Sequence, residues 1–319
     1  MTLKVNAETA ARFIHVPQGI SEEYKLFLQN ATPVGGPVTT PNHWEITRKG
    51  FRQWTIAGND QANADHVESM KRIELGDVPV YEITPKDYSP ETPEKILVYI
   101  HGGAFTLGST DHLAQFYAPV AHHANLKCFS IEYPLAPEHP YPAAIESCLK
   151  VYALLVDRFK AENIFMMGDS AGGSLVMSVL QKTDKGIPAG ICLMSPVADA
   201  EKHGPHYSIL DGRSPVLDYD LSLLPCLEAY APGVDLSDAD MSPINGSFNN
   251  FPPTLVTTGT HDLFAENCYR LVEKMEEAGV KVACNTAVGM GHNYQDRYSI
   301  PESQKCMTRI AEFFNNLMK

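Results

Sequence analysis

Five residues, Gly168 to Gly172, read GDSAG between the apolar runs IFMM and SLVM. A buried strand on one side and a helix on the other require the chain to turn sharply within them. Small residues at Gly168 and Gly172 let the two backbones pass closely and leave the Ser170 hydroxyl exposed at the tip. G-x-S-x-G in a strand-turn-helix setting has the form of a nucleophile elbow. A plain tight turn or a phosphate-cradling loop is the rival. No Walker-type lysine follows, however, and the spacing fails G-x-G-x-x-G. Asp169 reads as packing within the elbow, with a hydrogen bond behind the serine as the alternative.

A serine nucleophile needs a base, and the base needs an orienting carboxylate. In the chain order that accompanies this elbow, the acid and then the histidine follow the serine. The histidines after Ser170 are His203, His206, His261 and His292. The first two fall in an irregular segment. His292 sits in VGMGHNY, a glycine-flanked loop between the last strand and the last helix. Asp262 ends the PTLVTTG strand, where such sheets place ligands, and is the best-placed acid. Glu266 competes, but a carboxylate in the first turn of the following helix is ordinary.

Attack on a carbonyl also calls for oxyanion donors. HGGAF, from His101 to Phe105, leaves a strand at the position of the HGGG-type loop of lipases and esterases. Read alone, Gly102 and Gly103 equally make a turn. Ala104 stands in place of the third glycine and keeps its N–H. The donor survives if its φ is negative, whereas a positive φ costs about 1 kcal/mol or more.

The elements that must carry these residues alternate. Strand patterns occur at HVESMKRIEL, VPVYEITP, KILVYI, KCFSIEY, NIFMM, AGICLMS, PTLVTTG and VKVACNTA. Helical patterns lie between or after them, at LAQFYAPVAHHA, YPAAIESCLKVYALLVDRF and QKCMTRIAEFFNNLM. The alternation predicts an α/β fold with a mostly parallel sheet of about eight strands, covered on both faces. SEEYKLFLQN predicts a short helix, with a Pro/Gly-rich connection after it. The stretch up to Asp65, with two tryptophans, shows little periodicity. The expected organisation is a cap from residues 1–60 and an insertion at about 200–250, over a catalytic unit spanning 61–319.

A formal net charge of -13 argues against nucleic acid or an anionic membrane as partner. No apolar run is long enough for a transmembrane span, and no secretory leader pattern opens the chain. The seven cysteines show neither metal-ligand spacing nor a disulfide framework, which favours the cytoplasm. His122 and His123 lie side by side on a helical pattern and point apart, which suits surface or core roles better than metal ligation.

The segments HGGAF, IEYPLAPEHPYPAAIES, GDSAGG, SPVAD, GTHDLFAEN and GMGH occur in order from Ile96 to His292. In this the chain resembles the hormone-sensitive-lipase-like family of α/β-hydrolases, in its bacterial and archaeal carboxylesterase branch. The resemblance implies a triad of Ser170, Asp262 and His292. It implies an oxyanion hole in the Gly102–Gly103–Ala104 loop, with Ala171 as the donor after the nucleophile and His101 shaping the loop. Within the stretch similar to the family's DYRLAPE signature, Glu132 and Pro134 replace aspartate and arginine, and Glu132 is expected to support the loop. The family also implies a homodimer.

The expected reaction is hydrolysis of a small carboxylic ester through an acyl-enzyme, requiring no metal or organic cofactor. A compact lid and the Ala104 methyl favour short to medium acyl chains, up to about eight carbons. The same serine and loop would also serve a lactonase, amidase, thioesterase or acyltransferase. A non-catalytic ligand-binding member of the fold is disfavoured by the presence of His292.

Overall fold

The computed structural model describes residues 16–31, 42–90, 93–210, 214 and 216–319. Among the described residues two helices come first, α1 (Glu22–Asn30) and α2 (His43–His66), followed by the hairpin β1 (Val67–Leu75) and β2 (Val78–Pro85). Next come β3 (Ile96–Ile100), α3 (Ala114–His123), β4 (Lys127–Ile131) and α4 (Ala143–Phe159). They lead to β5 (Ile164–Asp169), α5 (Ala171–Lys182) and β6 (Gly190–Met194). An insertion follows with α6 (Pro205–Leu210), a π-helical turn at Tyr219–Leu223 and α7 (Leu224–Tyr230). The chain closes with β7 (Thr254–His261), α8 (Ala265–Glu277), β8 (Val282–Gly291) and α9 (Pro301–Leu317).

The fold is α/β, a mostly parallel sheet covered by helices on both faces. Its eight strands run in the order β1-β2-β4-β3-β5-β6-β7-β8. β2 pairs antiparallel with β1 and β4, and every other neighbouring pair is parallel. Every residue of β3, β5 and β6 is buried. Continuous apolar sequence such as ILVYI is what a parallel strand covered on both faces requires. On one face Val151 and Leu155 of α4, Leu175 and Val179 of α5 and Leu271 of α8 join the core. On the other, Phe116 and Val120 of α3 pack with Ile310 and Phe314 of α9.

The largest departure from the sequence reading is α2. The stretch taken as aperiodic is a helix, and the boundary expected at residue 60 falls inside it. Trp44, Phe51 and Trp54, at spacings of seven and three, do share one helical face. Gly50, Gly58 and the β-branched Ile46, Thr47, Thr55 and Ile56 weaken the local propensity, so packing decides the outcome. Ala62 of α2 sits fully buried in the core formed by α3 and α9. The Pro/Gly-rich connection, from residue 32 to 41, lies outside the described residues. Among the described residues no helix is long and apolar enough to cross a membrane.

Candidate active site

The position expected to hold the nucleophile is built by strain. Ser170 sits between β5 and α5 at φ +51 and ψ -121, a conformation L-residues avoid. Such backbone typically costs about 1–3 kcal/mol and persists where its surroundings over-determine it. Here the Ser170 N–H donates to Met194 O at 2.8 Å, and its carbonyl accepts from Val197 N at 3.2 Å. Gly172 is obligatory for a packing reason, because a Cβ there would lie 2.0 Å from Ile100 O. The elbow can press against β3 only without that side chain.

Loops at the ends of β7 and β8 deliver the partners. His292 Nε2 lies 3.1 Å from Ser170 Oγ, and His292 Nδ1 lies 3.0 Å from Asp262 Oδ1. Asp262 Oδ1 also accepts from Phe264 N at 3.0 Å, and Oδ2 accepts from Thr258 Oγ1 at 3.1 Å. Full burial would raise the Asp262 carboxyl, but the adjacent His292 imidazole and the surrounding donors hold it below the usual range. Glu266 does not reach the imidazole. It sits in the first turn of α8 and pairs with His206 Nδ1 at 3.0 Å.

Asp169 has a larger role than elbow packing. Its buried carboxylate accepts from Tyr99 Oη at 2.6 Å, Gly102 N at 2.9 Å and Asn293 Nδ2 at 2.8 Å. It therefore ties together β3, the glycine loop and the residue after His292. Burial raises its carboxyl above the usual range, against the opposing effect of the Tyr99 and Gly102 donors. The three bonds correct one expectation. The Gly102 N–H is spent on Asp169 and is not an oxyanion donor.

Among the described residues no protein acceptor takes the amides of Gly103, Ala104 or Ala171. Gly103, at φ +109, admits no side chain, since a Cβ would meet Leu107 O at 2.2 Å. Ala104 has φ +50 and Phe105 φ +62, so the condition of a negative φ is not met and the costlier, left-handed alternative is the one adopted, with the Ala104 N–H still untaken by any protein acceptor among the described residues. The left-handed region costs each roughly 1–2 kcal/mol. His101 is buried, stacks on the Tyr133 ring at 4.3 Å and places Nδ1 2.8 Å from Gly102 O. Glu132 braces the far end of the loop, accepting from Ser109 Oγ at 2.9 Å and Thr110 N at 2.5 Å.

Ser170, His292, Gly103 and Ala104 open onto one cavity of about 440 Å³. Trp44, Phe51 and Trp54 of α2 line one side, and Val216, Leu217 and Leu221 of the insertion line another. An apolar chamber with a few convergent polar groups suits a small organic ligand. For a metal, Asp199, Glu201 and His203 have suitable spacing, but Arg270 Nη1 already holds Asp199 Oδ2 at 2.7 Å. His122 instead meets His66, with the two Nδ1 atoms 2.8 Å apart. The sequence reading missed Tyr99, Asn293 and the α2 wall. Only the wall left a signal, in its aromatic spacing.

Residues 97–296 match the alpha/beta hydrolase fold family. An esterase of Acinetobacter venetianus is 32% identical over 228 residues, 70% of this chain and 75% of that one. Carboxylesterase NlhH of Mycobacterium tuberculosis is 32% identical over 238 residues, 69% of this chain and 72% of that one. Among solved structures, an esterase E25 superposes with a TM-score of 0.85 at 28% identity, covering 96% of this chain and 97% of that one. An esterase from the bacterial hormone-sensitive lipase family shares the fold with a TM-score of 0.75 at 22% identity, covering 88% of this chain and 100% of that one.

Proposed function

This chain belongs to the alpha/beta hydrolase fold family, and from that premise we propose that it is a serine carboxylesterase of the hormone-sensitive-lipase-like branch, working through an acyl-enzyme on Ser170. One observation carries the reading. His292 bridges Ser170 Oγ and Asp262 at 3.1 and 3.0 Å on a cavity that Gly103 and Ala104 also line.

In this reading His292 takes the Ser170 proton as the oxygen attacks the ester carbonyl. Asp262 fixes the tautomer with Nδ1 protonated and stabilises the imidazolium that forms. The amides of Gly103, Ala104 and Ala171 receive the negative charge that develops on the carbonyl oxygen. Such a donor is typically worth about 3 kcal/mol in the transition state. His292 then protonates the leaving alcohol, and water repeats the cycle to release the acid.

In this reading the cap is formed by α2 and by the insertion between β6 and β7. Both parts contribute cavity walls. Short to medium acyl chains fit best, because each buried methylene adds at most about 0.8 kcal/mol until the chamber is filled. A homodimer through the β8 edge, where Val288 is 72% exposed, belongs to the same reading, and a lone monomer boundary in sedimentation velocity would remove it. A cytoplasmic location rests on seven cysteines without a disulfide, and cell fractionation tests it.

The deciding experiment is a p-nitrophenyl ester series from C2 to C16, with Ser170→Ala as the blank. The specificity constant is expected to rise and then fall with length, and to vanish in the blank. A constant still climbing at C16 with interfacial activation makes this a lipase. Equal rates in the blank remove the serine.

A further inference from the structure

We propose that Arg48, on the cap helix α2, is a positioning residue that holds the oxyanion loop in its left-handed conformation. The inference rests on the carboxylesterase reading and adds a part to it. Two consecutive L-residues, Ala104 and Phe105, stand at φ +50 and +62. Strain of this kind persists only where neighbours enforce it. Inside the loop, Thr106 N and Leu107 N donate to Gly103 O at 3.0 and 2.8 Å. Those bonds close a turn, yet they do not anchor it to the body of the protein.

The anchors come from elsewhere. Arg48 Nε donates to Thr106 O, the carbonyl directly after the strained pair, at 2.8 Å. Its Nη2 donates to Ala136 O at 2.8 Å, and the Ala136 N–H donates to Phe105 O at 3.0 Å. Glu138 then accepts from Nη1 and Nη2 at 2.9 and 2.7 Å and fixes the plane of the guanidinium. From the insertion, the Tyr230 ring stacks on Phe105 with centroids 4.1 Å apart and planes 8° apart. Both parts of the cap therefore grip the loop. The fork is used in a way a lysine cannot copy, since one ammonium does not span two carbonyls and a bidentate carboxylate. As an ion pair alone, Arg48–Glu138 would matter little, because the Arg48 side chain is 29% exposed. Its consequence lies in the geometry of the carbonyls it binds. A cap displaced far enough to break these bonds would leave the strained pair free to relax, so cap closure and oxyanion stabilisation are coupled.

The test compares Arg48→Gln, Arg48→Lys and Glu138→Gln, with and without Ala104→Gly, as full-length protein. Active sites are first titrated with a fluorophosphonate, so that kcat counts only competent molecules. For Arg48→Gln, kcat per titrated site should fall about ten- to a hundredfold with KM within about twofold. Affinity for a trifluoromethyl ketone, which presents an oxyanion, should fall in parallel with kcat/KM. Arg48→Lys should recover little. Ala104→Gly, which makes the left-handed backbone easy, should recover part of the loss. Should Arg48→Gln not fold, Glu138→Gln serves in its place, with a fall in kcat of about threefold expected from the unfixed fork. A lower melting temperature with kcat per titrated site unchanged assigns Arg48 a structural role and overturns the inference. An undiminished kcat in Glu138→Gln, where Arg48→Gln cannot be made, overturns it equally. A wild-type protein that neither titrates nor hydrolyses any ester overturns the carboxylesterase reading and this inference with it.

Discussion

Asn293 Nδ2 donates to Asp169 Oδ2 at 2.8 Å, joining the residue after His292 to the residue before Ser170. Asn293 is itself in the left-handed region, at φ +49, and its N–H reaches Ser195 Oγ at 3.4 Å. The two loops that carry Ser170 and His292 are thus linked behind the pair as well as through it. Asp169→Asn would set an amide N–H against the Asn293 amide or against Tyr99 and Gly102. We expect it to lower kcat by about tenfold or more, since a buried donor left unpaired costs roughly 1–3 kcal/mol. Asn293→Asp would put two carboxylates in contact, so its activity should decline as pH rises through the range where both ionise. A pH-rate profile of that variant parallel to wild type would count against the link.

Asp262→Asn should cost more. An asparagine that donates to His292 Nδ1 selects the tautomer with Nε2 protonated, which cannot accept the Ser170 proton. A fall in kcat of about 10⁴ is the expected scale. Glu266→Gln should leave kcat within about twofold, because Glu266 is engaged by His206. Steady-state kinetics on the two variants checks both statements.

Gly50 should set the longest chain accepted. It lies on the cavity, and a Cβ built there meets nothing within 4 Å. Gly50→Phe would add a ring one turn before Trp54, at the margin of the cavity. The optimum in the ester series should move to shorter chains, with each excluded methylene lowering the specificity constant about fourfold. Activity on the acetate ester should change little, which separates pocket filling from misfolding.

Stability should fall in mild acid before the carboxylates titrate. Burial pushes the His66 and His112 imidazoles down to about 4. His66 faces His122, His123, Tyr298, Asp65 and Lys86, while His112 Nδ1 meets Thr55 of α2 at 2.9 Å. The unfolded chain binds these protons near the ordinary value of about 6.5, whereas the folded chain does so only near 4. Stability is therefore lost as pH falls between those values and levels off below, as far as these two groups are concerned. The melting temperature should drop across that window, and less steeply in His66→Gln. A flat profile in the wild type contradicts the burial argument.

The central strands were legible because each is specified by its own apolar run, as with ILVYI and IFMM. Ser170 and His292 stood out for a similar reason, since glycine-flanked turns at strand ends announce themselves locally. What escaped is long-range. Arg48 bonds carbonyls 58 and 88 residues away, and nothing in RKGF marks it. Asn293 acquires its task only when β8 places it beside β5. Ala104 stands in the left-handed region within a loop bonded at Phe105 O by Ala136 and at Thr106 O by Arg48, which no property of an alanine foretells. Helix α2 had its aromatic stripe, but two glycines and four β-branched residues masked it.

The most direct test of the account is covalent labelling of the folded protein with a fluorophosphonate, followed by peptide mass mapping. The account predicts one adduct per chain, on the peptide containing Ser170, forming in step with loss of esterase activity and absent from Ser170→Ala. An unlabelled but folded and active protein, or an adduct on another serine while Ser170→Ala keeps its activity, would contradict it.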